Sequence, residues 1–393
     1  MKRIAIPLLL SLSLLLSGCQ NTDTGSNGGD SASTGAESVA VIDTAALFSD
    51  RDLDGSYDES AAVHIQLEGE TAVCDSDAVS IDGSRITLLD EGTYLVSGAL
   101  TDGQIVVDAG DTDKVQIVLA SASLTCADSA AIYSKSADKV FLTLAEGTEN
   151  TLTNGGSYTA IDKNNIDSVV FSKTDLTLNG SGSLTIDAQA GHGVVSKDEL
   201  TINGGTFTVD SADDCLHSGG ALAVTGGTFT LSSGDDAIHS DDAVTIRAGE
   251  FSIPYCYEGV EGLSVTVEGG AFDVTAHDDG FNAAGGADSS GFGGRDEAFA
   301  ASEDSFITVN GGTITVVSDG DCLDSNGDLT VNGGTLDLTC NGNGNTALDC
   351  SGSYTNNGGS VTTNDGSETN SGGRSGNRLE EEREPLPSGR PKA

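Results

Sequence analysis

The chain has 393 residues and carries 61 acidic against 17 basic side chains, a formal net charge of −44. Such a surface excludes unaided binding to nucleic acid, because phosphate recognition needs clustered lysine and arginine. The 53 glycines, the few aromatic residues and the absence of tryptophan favour a solenoid of thin coils over a compact globule with a large core.

The first residues predict an export signal that ends in a lipid anchor. Lys2 and Arg3 precede an apolar stretch, residues 4–16, that is too short to span a membrane comfortably. The tetrapeptide Leu-Ser-Gly-Cys at 16–19 resembles the bacterial lipobox, whose cysteine is lipidated and becomes the new N-terminus. The resemblance implies a lipoprotein signal peptide over residues 1–18 and a lipid on Cys19. It places the mature protein outside the cytoplasm, anchored to the bacterial membrane at the cell surface. An ordinary cleaved signal would leave Cys19 unexplained.

Two segments precede the first predicted strands. Residues 19–40 are almost free of apolar side chains, so we expect a flexible tether that cannot bury enough surface to fold. In the segment that follows, Asp50, Asp52 and Asp54 imitate the opening of an EF-hand loop. The twelfth position is Ala61, however, where a bidentate glutamate is required. We therefore interpret this segment as an N-terminal cap of the folded domain, which we predict over residues 41–364.

Short alternating strands begin near residue 63 and repeat regularly in the middle of the chain. Phe207, Phe229 and Phe251 lie 22 residues apart, and Phe272 follows after 21. Within each repeat a Gly-Gly pair separates two stretches of alternating apolar residues, with no helical period. A period of this size indicates one supersecondary unit stacked on copies of itself. The sequence thus predicts an all-β protein, a right-handed parallel β-helix of some twelve coils of about 22 residues.

One turn of each coil carries acidic residues that recur in register. The pairs are Asp213-Asp214, Asp235-Asp236, Tyr257-Glu258, Asp278-Asp279 and, one long coil later, Gly320-Asp321. In a parallel stack equivalent residues lie about 4.8 Å apart. Two carboxylates at that distance repel by roughly 3.5 kcal/mol at an effective dielectric constant near 20. The column therefore needs cations or raised pKa values, and its oxygen ligands favour Ca²⁺. The alternative is a hydrated turn in which each aspartate caps its own backbone.

Other polar residues near this turn have structural interpretations. His217 and His239 share a register with Glu261, Asn282, Asp324 and Asp349, and we interpret the row as a polar ladder that faces outward, although it could lend metal ligands. Apart from Cys19 the chain has seven cysteines without a CxxC spacing, which argues against a zinc ribbon. Cys215 and Cys322 take a repeat position filled elsewhere by small residues, so we expect buried fillers and not a disulfide framework.

Two segments interrupt or follow the coils. Between Asn282 and Phe306 a Gly- and Ser-rich insertion replaces a short link, and we expect a surface loop in which Phe292 and Arg295 are the candidates for ligand contact. A loop without a role is the alternative. Residues 365–393 are rich in Arg, Glu and Pro, which predicts a disordered tail.

Three stretches resemble a bacterial family of carbohydrate-binding domain-containing proteins: GGTFTLSSGDDAIHSDD at 226–242, DRDLDGSYDES at 50–60 and SDGDCLDSNGDLTVNGG at 318–334. The resemblance implies a pectate-lyase-like β-helix that binds calcium at acidic turns and binds plant polysaccharide, such as polygalacturonate (pectin) or cellulose. The family's acidic turn positions carry over to Asp213, Asp214, Asp235, Asp236, Asp278, Asp279, Asp321 and Asp324. Tyr257-Glu258 departs from the paired-aspartate pattern.

Three functions follow from these observations. The first is a calcium-dependent carbohydrate-binding lipoprotein without catalysis, whose Ca²⁺ would bridge the carboxylates of protein and ligand. The second is a polysaccharide lyase on the same fold, because such enzymes abstract a proton beside a Ca²⁺-neutralised uronate with Arg or Lys. By alternation Arg247 faces outward beside the acidic columns and is the candidate base. The third is a structural adhesin that calcium stiffens. The sequence leaves the oligomeric state open.

Overall fold

Alternating apolar residues form short strands throughout the part of the chain that the structure, a computed structural model, describes, which is residues 48–159, 162–283 and 304–369. The described residues belong to one compact unit, Thr44–Ala393. The predicted signal, tether and lipid-anchor residue Cys19 lie outside them. No described helix is long and apolar enough to cross a membrane.

A four-residue helix, α1 (Asp50–Leu53), precedes the strands, and a single 3-10 turn (Ser367–Thr369) follows them. In chain order the strands are β1 (Val63–Gly69), β2 (Ala72–Val73), β3 (Val79–Asp82), β4 (Arg85–Leu88), β5 (Gly92–Leu100), β6 (Gln104–Asp108), β7 (Lys114–Cys126), β8 (Ile132–Ser136), β9 (Lys139–Leu144), β10 (Glu149–Asn154), β11 (Ser168–Ser172), β12 (Asp175–Gly180), β13 (Ser183–Ala188), β14 (His192–Ser196) and β15 (Leu200–Ser211). The second half comprises β16 (Leu216–Ser218), β17 (Leu222–Ser233), β18 (Ile238–Ile246), β19 (Glu250–Cys256), β20 (Val260–Val267), β21 (Ala271–Ala276), β22 (Phe281–Ala283), β23 (Phe306–Val309), β24 (Thr313–Ser318), β25 (Leu323–Ser325), β26 (Asp328–Val331), β27 (Thr335–Cys340), β28 (Leu348–Cys350), β29 (Tyr354–Asn356) and β30 (Ser360–Thr363).

Strands pair in parallel with their equivalents one coil away, and each full coil contributes to three ladders. The first ladder runs through β14, β16, the start of β18, the start of β20, β22, β25 and β28. The second runs through β12, the start of β15, the start of β17, the end of β18, the end of β20, β23, β26 and β29. The third runs through β13, the end of β15, the end of β17, β19, β21, β24, β27 and β30. Antiparallel pairs within the described residues are confined to the N-terminal end, β1 with β2 and β3 with β4.

The predicted parallel β-helix is therefore confirmed, with a difference in its period. Equivalent residues lie 22 apart in the central coils, as between Asp214 and Asp236. The coil that holds the insertion is longer, because Asp279 and Asp321 are 42 residues apart. Most coils before β14 are also longer, so the whole domain has about ten coils of roughly 24 residues.

The repeated phenylalanines stack inside the helix at the bend between the second and third ladders. The ring centroids of Phe207 and Phe229 are 5.3 Å apart, and those of Phe229 and Phe251 are 4.6 Å apart. Gly227 in the bend has φ +126°, and a Cβ placed there would lie 3.0 Å from the ring of Phe229. The second glycine of this Gly-Gly pair is thus required both by its positive φ and by the closeness of the stacked ring, whereas a Cβ at Gly226 would meet no atom within 4 Å.

The N-terminal strap, residues 48–57, lies along the side of the second ladder and not over the end of the helix, so the interpretation as a cap is wrong. Asp52 is buried, with its carboxylate 2.7 Å from Lys139 Nζ and 2.6 Å from Thr177 Oγ1. Burial opposes ionisation, but these donors and Ser49 outweigh it and lower the pKa of Asp52. This carboxylate already has protein donors, so it is not free to serve as a ligand of an EF-hand loop.

Candidate metal centre

The acidic turns lie at one corner of the helix, where each coil passes from the third ladder to the first. The amide of Asp236 donates to Asp214 Oδ1 at 3.0 Å, and the amide of Glu258 donates to Asp236 Oδ1 at 3.2 Å. The carboxylates of Asp214, Asp236, Asp279 and Asp321 each accept a hydrogen bond from a backbone amide of the next coil. We call these residues the inner column, and all are buried, at 2–7% exposure: Asp214, Asp236, Glu258, Asp279 and Asp321. The structure has the predicted register of the column.

Neutral or basic residues continue the inner column at both ends. His192 Nδ1 lies 3.1 Å from the amide nitrogen and 3.1 Å from Oδ2 of Asp214, and the amide of Thr346 donates to Asp321 Oδ1. Sequence reasoning missed His192, because it compared only acidic pairs. The available signal was its position, 22 residues before Asp214.

A second row, three residues further along each coil, contacts the inner column. His217 Nδ1 lies 2.8 Å from Asp214 Oδ2, and His239 Nδ1 lies 3.0 Å from Asp236 Oδ2 and 2.9 Å from Glu261 Oε2. The prediction that these histidines form an outward ladder is therefore wrong. Their side chains are only 14% and 6% exposed, because they turn toward the buried carboxylates.

The column has two chemically different ends. We call the part with imidazole partners the histidine end, made of His192, Asp214, His217, Asp236, His239, Asp241 and Glu261. We call the remainder the carboxylate end, made of Glu258, Asp278, Asp279, Asp321 and Asp324.

At the histidine end the imidazole rings offset only part of the buried negative charge, and burial together with Glu258, Asp214 and Glu261 raises the pKa of Asp236 well above its ordinary value despite its hydrogen bond with His239. Burial alone would raise the pKa of Asp214, but hydrogen bonds with His192 and His217 outweigh it and hold that pKa well below its usual range. Burial would lower the pKa of His239, yet Asp236 and Glu261 raise it to about 12. The His239 ring is consequently an imidazolium that neutralises buried carboxylates.

At the carboxylate end the neighbouring charges have the same sign. Burial and then the carboxylates of Asp324, Glu258, Asp278 and Asp321 raise the pKa of Asp279 well above its ordinary value. Burial and the nearby Glu261 likewise raise the pKa of Glu258, although Asn282 Nδ2 donates to it at 2.9 Å. Asp279, Asp321 and Asp324 each offer one oxygen, and these three atoms lie within 4.8 Å of one another. Such an oxygen-only set suits Ca²⁺.

The outer members of the acidic pairs are more accessible. Asp213 is exposed, while Asp235 and Asp278 are partly buried. Tyr257, which replaces an aspartate in this row, donates its hydroxyl to Asp278 Oδ2 at 2.7 Å. The coil that has Tyr257 in place of an aspartate therefore still contributes a hydrogen bond to the carboxylate end.

The remaining candidates lie elsewhere. Arg247 follows the end of β18 at the corner between the second and third ladders, so its expected place beside the acidic columns is wrong. Its guanidinium lies 5.6 Å from the ring centroid of Phe48 in the strap. Phe292 and Arg295 lie outside the described residues. The seven cysteines in the described ranges are free, and Cys215 and Cys322 are fully buried, as predicted for fillers of the turn.

Comparisons with known proteins place these features in context. A family model described as carbohydrate-binding domain-containing protein matches residues 82–345 and 235–376. A relative of that description from Acetivibrio thermocellus is 36% identical over 135 residues, 34% of this chain and 47% of the relative. The chain thus spans about half the length of this curated relative. A solved polysaccharide lyase-like protein from C. thermocellum, a gadolinium derivative, is 23% identical at a TM-score of 0.48, covering 76% of this chain and 99% of that one.

Proposed function

Because the chain belongs to the family of carbohydrate-binding domain-containing proteins, we propose that it binds an acidic plant polysaccharide, such as polygalacturonate, without catalysis and with Ca²⁺ as cofactor. The observation that carries the proposal is the carboxylate end. Asp279 is buried among four carboxylates that raise its pKa, so its ionised form needs a cation.

The overall charge explains why calcium would be needed for an acidic ligand. At −44 the protein repels a polyuronate. Ca²⁺ takes six to eight oxygen ligands, and three carboxylates with nearby carbonyls supply only part of such a shell. The remaining positions suit a uronate carboxylate, so that the ion would bridge protein and ligand. Cellulose, the neutral alternative, offers hydroxyls alone and gains less from this arrangement.

The position of Arg247 supports a binding role over a lyase role. A lyase needs its base beside the calcium-bound uronate. Arg247 instead lies at another corner and packs against Phe48. The third possibility, an adhesin that calcium merely stiffens, predicts calcium-dependent stability without glycan affinity.

The membrane is the second proposed partner, through a lipid on Cys19 at the cell surface. A Cys19→Ala variant tests this part separately. We expect it to lose metabolic incorporation of labelled palmitate, whereas a Cys74→Ala variant keeps it. Labelling that persists in Cys19→Ala would contradict the anchor.

Binding of polygalacturonate to the purified protein in calcium and in chelator tests the function. We expect retention on an affinity gel in calcium only, and its loss in Asp279→Asn. The matched control is Asp337→Asn, an exposed aspartate of β27 in the same solenoid. Retention that is equal in chelator would remove calcium from the proposal. Calcium-dependent stability without retention of any glycan would favour the adhesin, and release of unsaturated uronate would favour the lyase.

A further inference from the structure

The geometry points to a second metal site at the histidine end, where His217, His239 and Asp241 bind a late first-row divalent ion such as Zn²⁺. This site does not depend on the proposed calcium site or on carbohydrate binding. It lies on neighbouring coils of the same corner but uses nitrogen donors.

The first observation is the arrangement of the donors. His217 and His239 are register partners on β16 and β18, and their rings stack with centroids 4.7 Å apart and planes 3° from parallel. Asp241 Oδ1 lies 3.3 Å from His239 Nε2. One donor atom from each of the three residues lies within 4.8 Å of the others.

The second observation is what holds each ring from behind. His217 Nδ1 bonds to Asp214 Oδ2 at 2.8 Å, and His239 Nδ1 bonds to Asp236 Oδ2 at 3.0 Å. Metal-binding histidines in proteins donate their second ring nitrogen to a carboxylate in this way, which fixes the tautomer and the ring orientation. Nε2 is then the nitrogen available to an ion, and within the described residues His217 Nε2 has no hydrogen-bond partner.

The third observation is the surplus of negative charge around the two rings. Asp214, Asp236, Glu261 and Asp241 all lie within 3.3 Å of a nitrogen of His217 or His239. The His239 ring has carboxylates at both of its nitrogens, Asp236 and Glu261 at Nδ1 and Asp241 at Nε2. An incoming ion forms a bond to His239 Nε2 as the proton on that nitrogen leaves for solvent. His239 Nδ1 keeps its proton and its hydrogen bond to Asp236. The exchange adds one positive charge to a site that has carboxylates to balance it.

The chemistry of the donors separates this site from the carboxylate end. Imidazole suits Zn²⁺, Ni²⁺ and Cu²⁺, whereas oxygen-only sets suit Ca²⁺. Tetrahedral Zn²⁺, at about 2.0–2.1 Å from each donor, needs donor separations of about 3.4 Å. The three donors, within 4.8 Å of one another, would have to approach more closely on binding, and the 53% exposed Asp241 side chain leaves access for the ion and for a water as fourth ligand.

Isothermal titration of the calcium-saturated protein with Zn²⁺, in two buffers of different ionisation enthalpy, tests the proposal. We expect one ion per chain and a release of about one proton per ion near neutral pH. Asp241→Asn and His217→Gln should each weaken the affinity for Zn²⁺ at least ten-fold. When Co²⁺ is bound in place of Zn²⁺, the visible absorption bands seen with the wild type should be lost in the same two variants. His277→Gln is the matched control, because His277 is a half-exposed histidine of the same solenoid outside the cluster.

The design separates this site from the proposed calcium site. Asp279→Asn should lose calcium binding and keep the Zn²⁺ affinity, and Asp241→Asn should do the reverse. Because Asp241 is largely exposed, its substitution leaves the fold intact, so a loss cannot come from unfolding. Zn²⁺ affinity that is unchanged in both Asp241→Asn and His217→Gln, or that disappears in Asp279→Asn instead, would overturn the proposal.

Discussion

At the histidine end the buried carboxylates of Asp214 and Asp236 lie against imidazole rings, whereas at the carboxylate end Asp279 lies among other carboxylates. The backbone hydrogen bonding is similar in both regions, since the amides of Asp236, Glu258 and Asp321 each donate to the carboxylate of the preceding coil. The difference comes from one position, three residues along the coil, which is histidine in two coils and Asn282 or Asp324 later. The buried charge of one repeated turn can therefore be partly offset by imidazole rings of the protein or left to require an added cation.

The largest expected effect tests internal neutralisation. Asp236→Ala removes one of the two carboxylates on His239 Nδ1, the other being Glu261, and also the acceptor of the Glu258 amide. Breaking a buried pair from one side costs about 3–5 kcal/mol. We expect that loss in the free energy of unfolding by urea, equal in calcium and in chelator. Asp213→Ala, its exposed control, should change stability by less than about 0.5 kcal/mol. A loss of stability seen only in calcium would show instead that Asp236 contributes to calcium binding.

Calcium removal should affect the opposite end. With calcium about a hundredfold above its dissociation constant, one site adds roughly 2.7 kcal/mol to stability. Calorimetric melting should show this increment in the wild type and not in Asp279→Asn. In chelator the variant should be at least as stable as the wild type, since an amide relieves repulsion and its oxygen still accepts the Asp321 amide. Identical wild-type melting curves in calcium and chelator would contradict the calcium site.

The pH dependence in chelator sharpens the comparison. Burial and neighbouring carboxylates raise the folded-state pKa of Asp279 and Glu258, so their protonated forms favour the folded state. This stability is complete below the unfolded pKa near 4 and is lost as pH rises toward the folded pKa. Each such group contributes a slope of up to about 1.4 kcal/mol per pH unit.

Urea unfolding between pH 5 and pH 6.5 measures that slope. Asp279→Asn should flatten it relative to the wild type. His239, whose pKa is raised to about 12, adds a loss of the same sign only above its ordinary pKa of 6.5. His239→Gln should therefore leave the slope below pH 6.5 unchanged. A wild type that gains stability from pH 5 to 6.5, or an equal slope in Asp279→Asn, would show that Asp279 does not hold its proton.

The smallest expected effect concerns the residue at the other corner. Arg247→Ala loses a cation–π contact with Phe48, worth about 0.5–1 kcal/mol. Polygalacturonate binding should be unchanged, because the acidic corner is not touched. Reduced binding of polygalacturonate, or loss of an ultraviolet-detected release of unsaturated uronate, would show that Arg247 acts in ligand binding or catalysis.

The sequence predicts this corner well because its signal is periodic. A 22-residue repeat fixes both the parallel pairing and the register of the inner column, from Asp214 through Asp321. It does not predict which way a side chain turns, so the inward lean of His217 and His239 onto the column was unforeseen. His192 was missed because only acidic pairs were compared, although it lies one repeat of 22 residues before Asp214. The position of Arg247 could not be predicted, because the sequence does not show which of the three corners of the coil follows β18.

The strap illustrates a contact without any periodic signal. Asp52 bonds to Thr177, 125 residues further along the chain, and nothing in the local sequence names that partner. Only the folded stack of coils brings Lys139 and Thr177 together on one side, where they receive the strap.

That separation also has a consequence in time. Ribosomes add about 5–20 residues per second. Roughly 6–25 s therefore pass between the synthesis of Asp52 and that of its partner Thr177, by the separation of 125 residues. Throughout that interval Asp52 has no Thr177 hydroxyl to bind, and the earlier coils must wind without the strap in its final place. The strap is thus synthesised before the coils but can reach its final position only after the coils as far as β12 have formed.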